Sequence, residues 1–286
     1  MNHAFGHRLV STRGRLAALA LLLTLPLALL FSGSPASGST GHSAANPSSV
    51  KPTVVLVHGG WADSSGWNGE ISRLQEDGYP VIAPANPLRG LSSDAAYIRS
   101  VLQTISGPIV LVGHSYGGAV ITNAAVGVPN VKALVYIAAF APDTGESLAA
   151  LVTKNPGTHI TPDALLERPY PLPDGGTGTD LYIKDSVFHD AFAGDLPEST
   201  TRLMQATQRP FSVAAFIEPS GGPAWKTVPS WYLVATQDHA IPPVTQRFMA
   251  QRADAYTAEV AASHVPMMSR PGATTALILR AAHAVS

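Results

Sequence analysis

The chain has 286 residues, of which 45% are apolar and 13% charged, with a net charge of −1. This composition supplies a sizeable core, excludes intrinsic disorder, and offers no electrostatic basis for binding nucleic acid. There is no cysteine, which excludes disulfides, thiolate metal sites, iron–sulfur clusters, a cysteine nucleophile and a lipoprotein anchor.

The first segment differs from the rest. Arg8, Arg13 and Arg15 form a basic region, residues 16–31 are apolar except for Thr24, and small residues follow. This three-part pattern predicts a secretory signal peptide over residues 1–36, with cleavage after Ala36. A transmembrane anchor is the competing reading. The apolar run falls short of the roughly 20 residues needed to span a bilayer, and Pro26 interrupts it. Removing residues 1–36 takes three arginines and no acids, carrying the net charge from −1 to −4. The expectation is a mildly acidic secreted protein with no stable membrane association once the signal is gone. Residues 37–50, rich in Ser, Gly, Asn and Pro, read as a flexible leader.

From Lys51 onward, short β-branched runs alternate with helical patterns. Thr53–Val57 is the first strand, and a helix runs to about Asp77. Val81–Ala83 is a second, short strand, followed by a helix over 92–105 in which Ser92 or Ser93 supplies the cap. Pro108–Val112 is the third strand, with a helix over 116–126 behind it. Ala133–Ala139, Ser230–Ala235 and Ala255–Val260 complete six strands, and the final helix covers about 273–284. Continuous apolar strands separated by helices predict a mostly parallel α/β sheet covered on both faces.

Residues 141–227 break this rhythm, with ten prolines, eight glycines and seven aromatics. An insertion of that length is too long for a loop and predicts a small domain of its own. Most of its aromatics (Tyr170, Tyr182, Phe188, Phe192, Phe211, Phe216 and Trp225) are expected to fill its own small core.

Four segments carry chemistry. Gly113-His114-Ser115-Tyr116-Gly117 matches G-x-S-x-G between a strand and a helix. The pentapeptide alone is weak. Its context is stronger: a serine on a sharp turn needs small residues two positions either side, and the helix beyond aims free N–H groups at the spot. A serine hydroxyl needs a base. His264 follows the last strand, at the sheet edge where parallel sheets hold ligands. His58 and His114 flank the motifs and read as loop packing. His3, His7 and His42 lie in the leader, His159 and His189 in the insertion, and His283 ends the last helix. The base needs an acid to fix its tautomer. Asp238, in a turn held by Pro242 and Pro243, is preferred over its rival Asp143. The fourth segment is His58-Gly59-Gly60-Trp61, where a backbone N–H pairs with that of Tyr116 as an oxyanion hole. Gly60 is the expected donor and Trp61 the fallback.

LVHGGW, LVGHSYGG, VATQDHAIPP and SHVPMMSRP together resemble the α/β-hydrolase superfamily, and within it the branch of plant methylesterases, hydroxynitrile lyases and bacterial carboxylesterases. The resemblance covers about residues 51–286. It implies the α/β-hydrolase fold, with a core over 51–140 and 228–286 and an inserted cap over 141–227; the apolar Met267–Met268 pair also fits. Members that cleave cyanohydrins carry a lysine after the catalytic histidine and a threonine after the first-strand histidine. Here Val265 and Gly59 stand there, on the esterase side. Dehalogenases and epoxide hydrolases of the family use an aspartate nucleophile, against which Ser115 argues.

The resemblance implies a secreted serine hydrolase acting on small-molecule carboxylic esters, with Ser115, Asp238 and His264 as the triad. It requires no cofactor and no metal, and leaves the oligomeric state open. A lactonase, perhydrolase or lyase on the same scaffold is the alternative within enzymes. A non-catalytic homologue that holds a small apolar ligand is the alternative outside them.

Overall fold

A computed structural model describes residues 50–285. The expected signal peptide and almost all of the leader lie outside the described residues. β1 (Thr53–Val57) is followed by α1 (Asn68–Glu76), β2 (Val81–Ile82), α2 (Leu91–Leu102), β3 (Ile109–His114), α3 (Tyr116–Ala124) and β4 (Val131–Ile137). Between β4 and the next strand of the same sheet come α4 (Leu148–Val152), β5 (Leu165–Pro171), β6 (Thr177–Ile183), α5 (Asp185–Phe192), α6 (Glu198–Ala206), β7 (Phe211–Ser212) and α7 (Val213–Ile217). The chain then closes with β8 (Ser230–Ala235), α8 (Pro243–Arg252), β9 (Tyr256–Val260), α9 (Pro266–Ser269) and α10 (Pro271–Ala284).

The six-stranded sheet has the order β2-β1-β3-β4-β8-β9 and is parallel throughout. Its central strands β3, β4 and β8 are buried almost residue for residue, because helices cover both faces. α3 packs on β1, β3 and β4 with α2 against it; α10 packs on β3, β4 and β8 with α1 against it. β9, at the edge, is only partly covered. The chain runs outward from β1 to β2, then returns to place β3 on the other side of β1. That reversal is a topological switch point, where a crevice opens beyond the strand ends. The register pairs Val57 with Gly113, so the segments leaving β1 and β3 emerge side by side.

One local feature differs from expectation. α2 begins at Leu91 with Gly90 in the capping position and no side-chain cap. The Glu218 carboxylate, from the far end of the inserted segment, accepts the Ser92 N–H at 3.2 Å instead. The inserted segment also contains strands: β5, β6 and β7 form a separate antiparallel sheet. β5 carries Pro169 and Pro171, which a strand tolerates only at a sheet edge, and β5 is the edge strand. Phe188, Phe192, Phe211 and Trp225 are buried; Tyr170, Tyr182 and Phe216 are half-buried. Among the described residues no helix is long and apolar enough to cross a membrane.

Candidate active site

β3 runs into α3 through a single residue, Ser115, at φ 52° and ψ −123°. That conformation is strained for any residue with a side chain, so its surroundings must enforce it. They do so by contact. A Cβ on Gly113 would lie 2.6 Å from the carbonyl of Gly117, and one on Gly117 would lie 2.4 Å from the Val57 oxygen. Only glycine permits either approach. The Ser115 carbonyl then accepts N–H bonds from Gly118 and Phe140, each at 3.0 Å. Tyr116 opens α3, so its N–H has no acceptor within the helix.

The structure brings three side chains from distant segments into line. The Ser115 hydroxyl lies 2.8 Å from Nε2 of His264, and Nδ1 of His264 lies 2.7 Å from Oδ2 of Asp238. All three are buried. His264 Nδ1–H donates to the carboxylate, which leaves Nε2 free to accept from the serine, an arrangement through which a serine hydroxyl can pass its proton to an imidazole. Asp238 is fully partnered: Oδ1 accepts the Ala240 and Ile241 N–H groups at 2.7 and 2.9 Å, and Oδ2 also accepts Nε2 of Gln246 at 2.7 Å. Asp143, the rival acid, instead ion-pairs with Lys226 at 2.6 Å. That contact holds its carboxyl below the ordinary carboxylate range.

The two motif histidines are structural. Burial lowers the His58 imidazole to about 4, so it is neutral, with Nε2 accepting the Asn86 N–H at 2.9 Å and Nδ1 donating to the Gly59 carbonyl at 2.9 Å. Asn86 returns a bond to the His58 carbonyl at 3.0 Å. This pins the Gly59–Gly60 turn. Burial likewise holds His114 well below its usual value, and its Nε2–H donates to the His264 carbonyl at 2.7 Å.

Gly60, Trp61 and Tyr116 all line the cavity over Ser115. A Cβ on Gly60 would press on the Phe211 ring at 3.0 Å. Trp61 takes a positive φ of 57°, and its indole N–H donates to the Leu181 carbonyl of β6 at 2.8 Å. Its ring meets Phe192 and Phe211 edge-on. Both Gly60 and Trp61 therefore stay open as backbone donors. Phe140, Leu148, Ile160, Phe211 and Phe216 supply further apolar wall. The free space is about 20 Å³, room for one water molecule. A second small chamber shares the Trp61 wall and is lined by Phe188, Phe192, Met267 and Met268.

Three supports of the site have no signature in the motifs. Gln246 on α8 reaches Asp238 and also accepts the Ala235 N–H at 3.0 Å. Asn86 anchors His58. The Tyr116 phenol donates to Asp94 of α2 at 2.7 Å, and Arg89, whose backbone N–H donates to the Asp94 carboxylate at 3.0 Å, reaches Asp180 of β6 through its guanidinium at 2.8 Å. The last chain ties the residue after Ser115 to the inserted sheet.

Comparison with known proteins agrees with this architecture. An esterase of a Nocardioides species named for carbendazim hydrolysis is 38% identical over 113 residues, 35% of this chain; the match spans about half (47%) of that esterase's length. A pyrethroid hydrolase of Sphingobium wenxiniae is 27% identical over 76% of this chain and 83% of its own. The crystal structure of polyneuridine aldehyde esterase superposes with a TM-score of 0.69 at 20% identity, over 80% of this chain and 98% of that one. The sequence profile of the alpha/beta hydrolase family matches residues 54–277. The chain belongs to the α/β hydrolase family.

Proposed function

We propose that the protein is a serine carboxylesterase acting on small to medium apolar esters. The observation that carries this reading is the unbroken line Ser115–His264–Asp238 at 2.8 and 2.7 Å, beside the free N–H of Tyr116. Ser115 Oγ attacks the ester carbonyl carbon while its proton moves to Nε2 of His264. Asp238 holds the resulting imidazolium and keeps its ring in place. The amides of Tyr116 and of Gly60, or of Trp61 in its stead, receive the oxyanion. Collapse expels the alcohol, which takes the proton from His264, and an acyl group remains on Ser115. Water then repeats the sequence and frees the acid.

The apolar lining favours acyl and aromatic groups over charged ones, with roughly 0.8 kcal/mol per buried methylene. The names of the relatives, a carbendazim-hydrolysing esterase and a pyrethroid hydrolase, support small organic substrates. A 20 Å³ space holds no ester, so residues of the inserted segment that line it, Phe211 and Phe216 among them, must move aside to admit one, as lids do. We further propose that residues 1–36 are a secretion signal; N-terminal sequencing of protein from culture medium should then begin near Ser37.

The deciding experiment is a p-nitrophenyl ester series run on the wild type and on Ser115→Ala. Hydrolysis should peak at short-to-medium acyl chains and vanish in the variant. Uniformly negligible hydrolysis with binding intact would overturn the reading in favour of a silent ligand binder, and steady improvement to sixteen-carbon chains would indicate an open lipase cleft.

A further inference from the structure

Among the described residues, one group outside the catalytic line gathers ligand atoms of metal-binding type: His159, Asp190 and His239, whose candidate atoms all lie within 4.8 Å of one another. They come from three separate places. His159 lies between α4 and β5, Asp190 on α5, and His239 directly follows Asp238 in the loop after β8. His159 Nδ1 is 2.5 Å from Asp190 Oδ2, and His239 Nδ1 is 3.3 Å from Asp190 Oδ1. The two imidazoles face each other with ring centres 4.3 Å apart. The His159 N–H also donates to the His239 carbonyl at 2.7 Å, which fixes the backbones of both histidines relative to each other.

We propose that these three side chains form a surface site for a divalent transition-metal ion of the zinc class, clamping the inserted segment to the loop that carries Asp238. The donor set decides the class of ion. Two imidazole nitrogens and one carboxylate oxygen suit zinc, cobalt or nickel, whereas calcium and magnesium select all-oxygen sets. The spacing is close to what is needed. Metal–ligand bonds of about 2.0–2.2 Å in a tetrahedron put ligand atoms roughly 3.4 Å apart; His239 Nδ1 already lies near that distance from Asp190 Oδ1, at 3.3 Å, and His159 Nδ1, at 2.5 Å from Oδ2, must draw back by about 1 Å. The Asp190 carboxylate is 62% exposed and both imidazoles are nearly half exposed, so a small rotation brings them into place and one position remains for water. The ion takes the Nδ1 lone pairs of neutral imidazoles, with their protons on Nε2. His239 Nδ1 therefore gives up its 3.1 Å bond to the Asp190 carbonyl.

The site does not depend on the esterase reading, because none of the three side chains touches Ser115 or His264. Calorimetric titration of the full chain with Zn²⁺ should show a binding step that His159→Ala and Asp190→Asn each weaken at least tenfold, since losing even an outer-shell partner costs about 10–100-fold. Zn²⁺ should raise the thermal midpoint of the wild type and leave that of either variant unmoved. Co²⁺ should give visible absorption bands in the wild type that both variants lose, while hydrolysis measured without metal stays unchanged in His159→Ala. Three results would overturn the proposal. One is a wild-type midpoint indifferent to Zn²⁺. Another is equal Zn²⁺ binding by wild type and variants, which places the ion on other histidines. The third is equal stabilisation by Mg²⁺, which points to simple screening of Asp190.

Discussion

Gln246 and His264 share one oxygen: both donate to Oδ2 of Asp238, each at 2.7 Å. The glutamine comes from α8 and the histidine from the loop after β9, so the carboxylate is aimed by a residue that never meets the serine. Gln246→Ala leaves that oxygen with one partner fewer and the Ala235 N–H without its acceptor. A hydrogen bond to a charged group contributes roughly 1.5–3 kcal/mol, so kcat should fall about ten- to hundredfold with KM little changed. Steady-state kinetics at several pH values check this, because a merely structural loss would lower active enzyme and leave the pH profile in place.

Ser115→Ala should lower ester turnover by roughly 10⁶ while preserving the fold, since alanine keeps the Cβ already accommodated in the turn. Single-turnover kinetics with circular dichroism on the same sample test both halves. A variant retaining a tenth of the rate would remove Ser115 from the chemistry.

Asp238→Asn and Asp143→Asn should behave differently. The first replaces an acceptor that orders the His264 tautomer and should cost on the order of 10⁴ in kcat. The second removes an exposed ion pair with Lys226, and such pairs contribute about 0–1 kcal/mol to stability. A larger loss of activity at Asp143 than at Asp238 would reverse the assignment.

Glu70 gives a pH prediction. It is fully buried on α1, neither of its oxygens meets a donor from another residue, and burial raises its carboxyl from 4.5 to about 8. The folded chain therefore holds a proton that the unfolded chain releases. Its contribution to stability is complete below pH 4.5, declines as pH rises, and is gone above about 8, the sign required when the native state binds more protons. Glu70→Gln should flatten that decline. Urea midpoints measured from about pH 5 to 9 decide it; parallel slopes for the two proteins would show that Glu70 contributes nothing.

Phe211 closes the cavity, with its ring 5.2 Å from Trp61 and 4.9 Å from Tyr116. Phe211→Ala should cost about 3–5 kcal/mol of stability and raise kcat/KM for bulky aromatic esters relative to acetates. An unchanged substrate ranking would mean that the ring does not limit the pocket.

The parts legible from sequence are those that backbone geometry forces into a local pattern. Ser115 stands out because the turn tolerates nothing but glycine at 113 and 117, where a Cβ would meet backbone at 2.6 and 2.4 Å. The sheet stands out because strands buried on both faces leave uninterrupted apolar runs. Gln246, Asn86 and Asp94 leave no such trace. Each meets its partner across 8, 28 or 22 residues, and a lone polar residue on a helix or in a loop reads as a solvated one. β5 is hidden for a different reason: its two prolines argue against a strand unless its place at the sheet edge is already known.

Trp61 joins the turn after β1 to the carbonyl of Leu181 in β6, with its ring packed on Phe192 and Phe211. Indole emission responds to polarity and to loss of the N–H bond. Were the inserted sheet to lift as proposed for substrate entry, that bond would break and water would reach the ring. Trp61 would then serve as an optical gauge of that motion. The chain has four tryptophans, and replacing Trp67, Trp225 and Trp231 by phenylalanine would leave Trp61 as the single emitter, so that opening during turnover could be timed in a stopped-flow fluorimeter without attaching a dye.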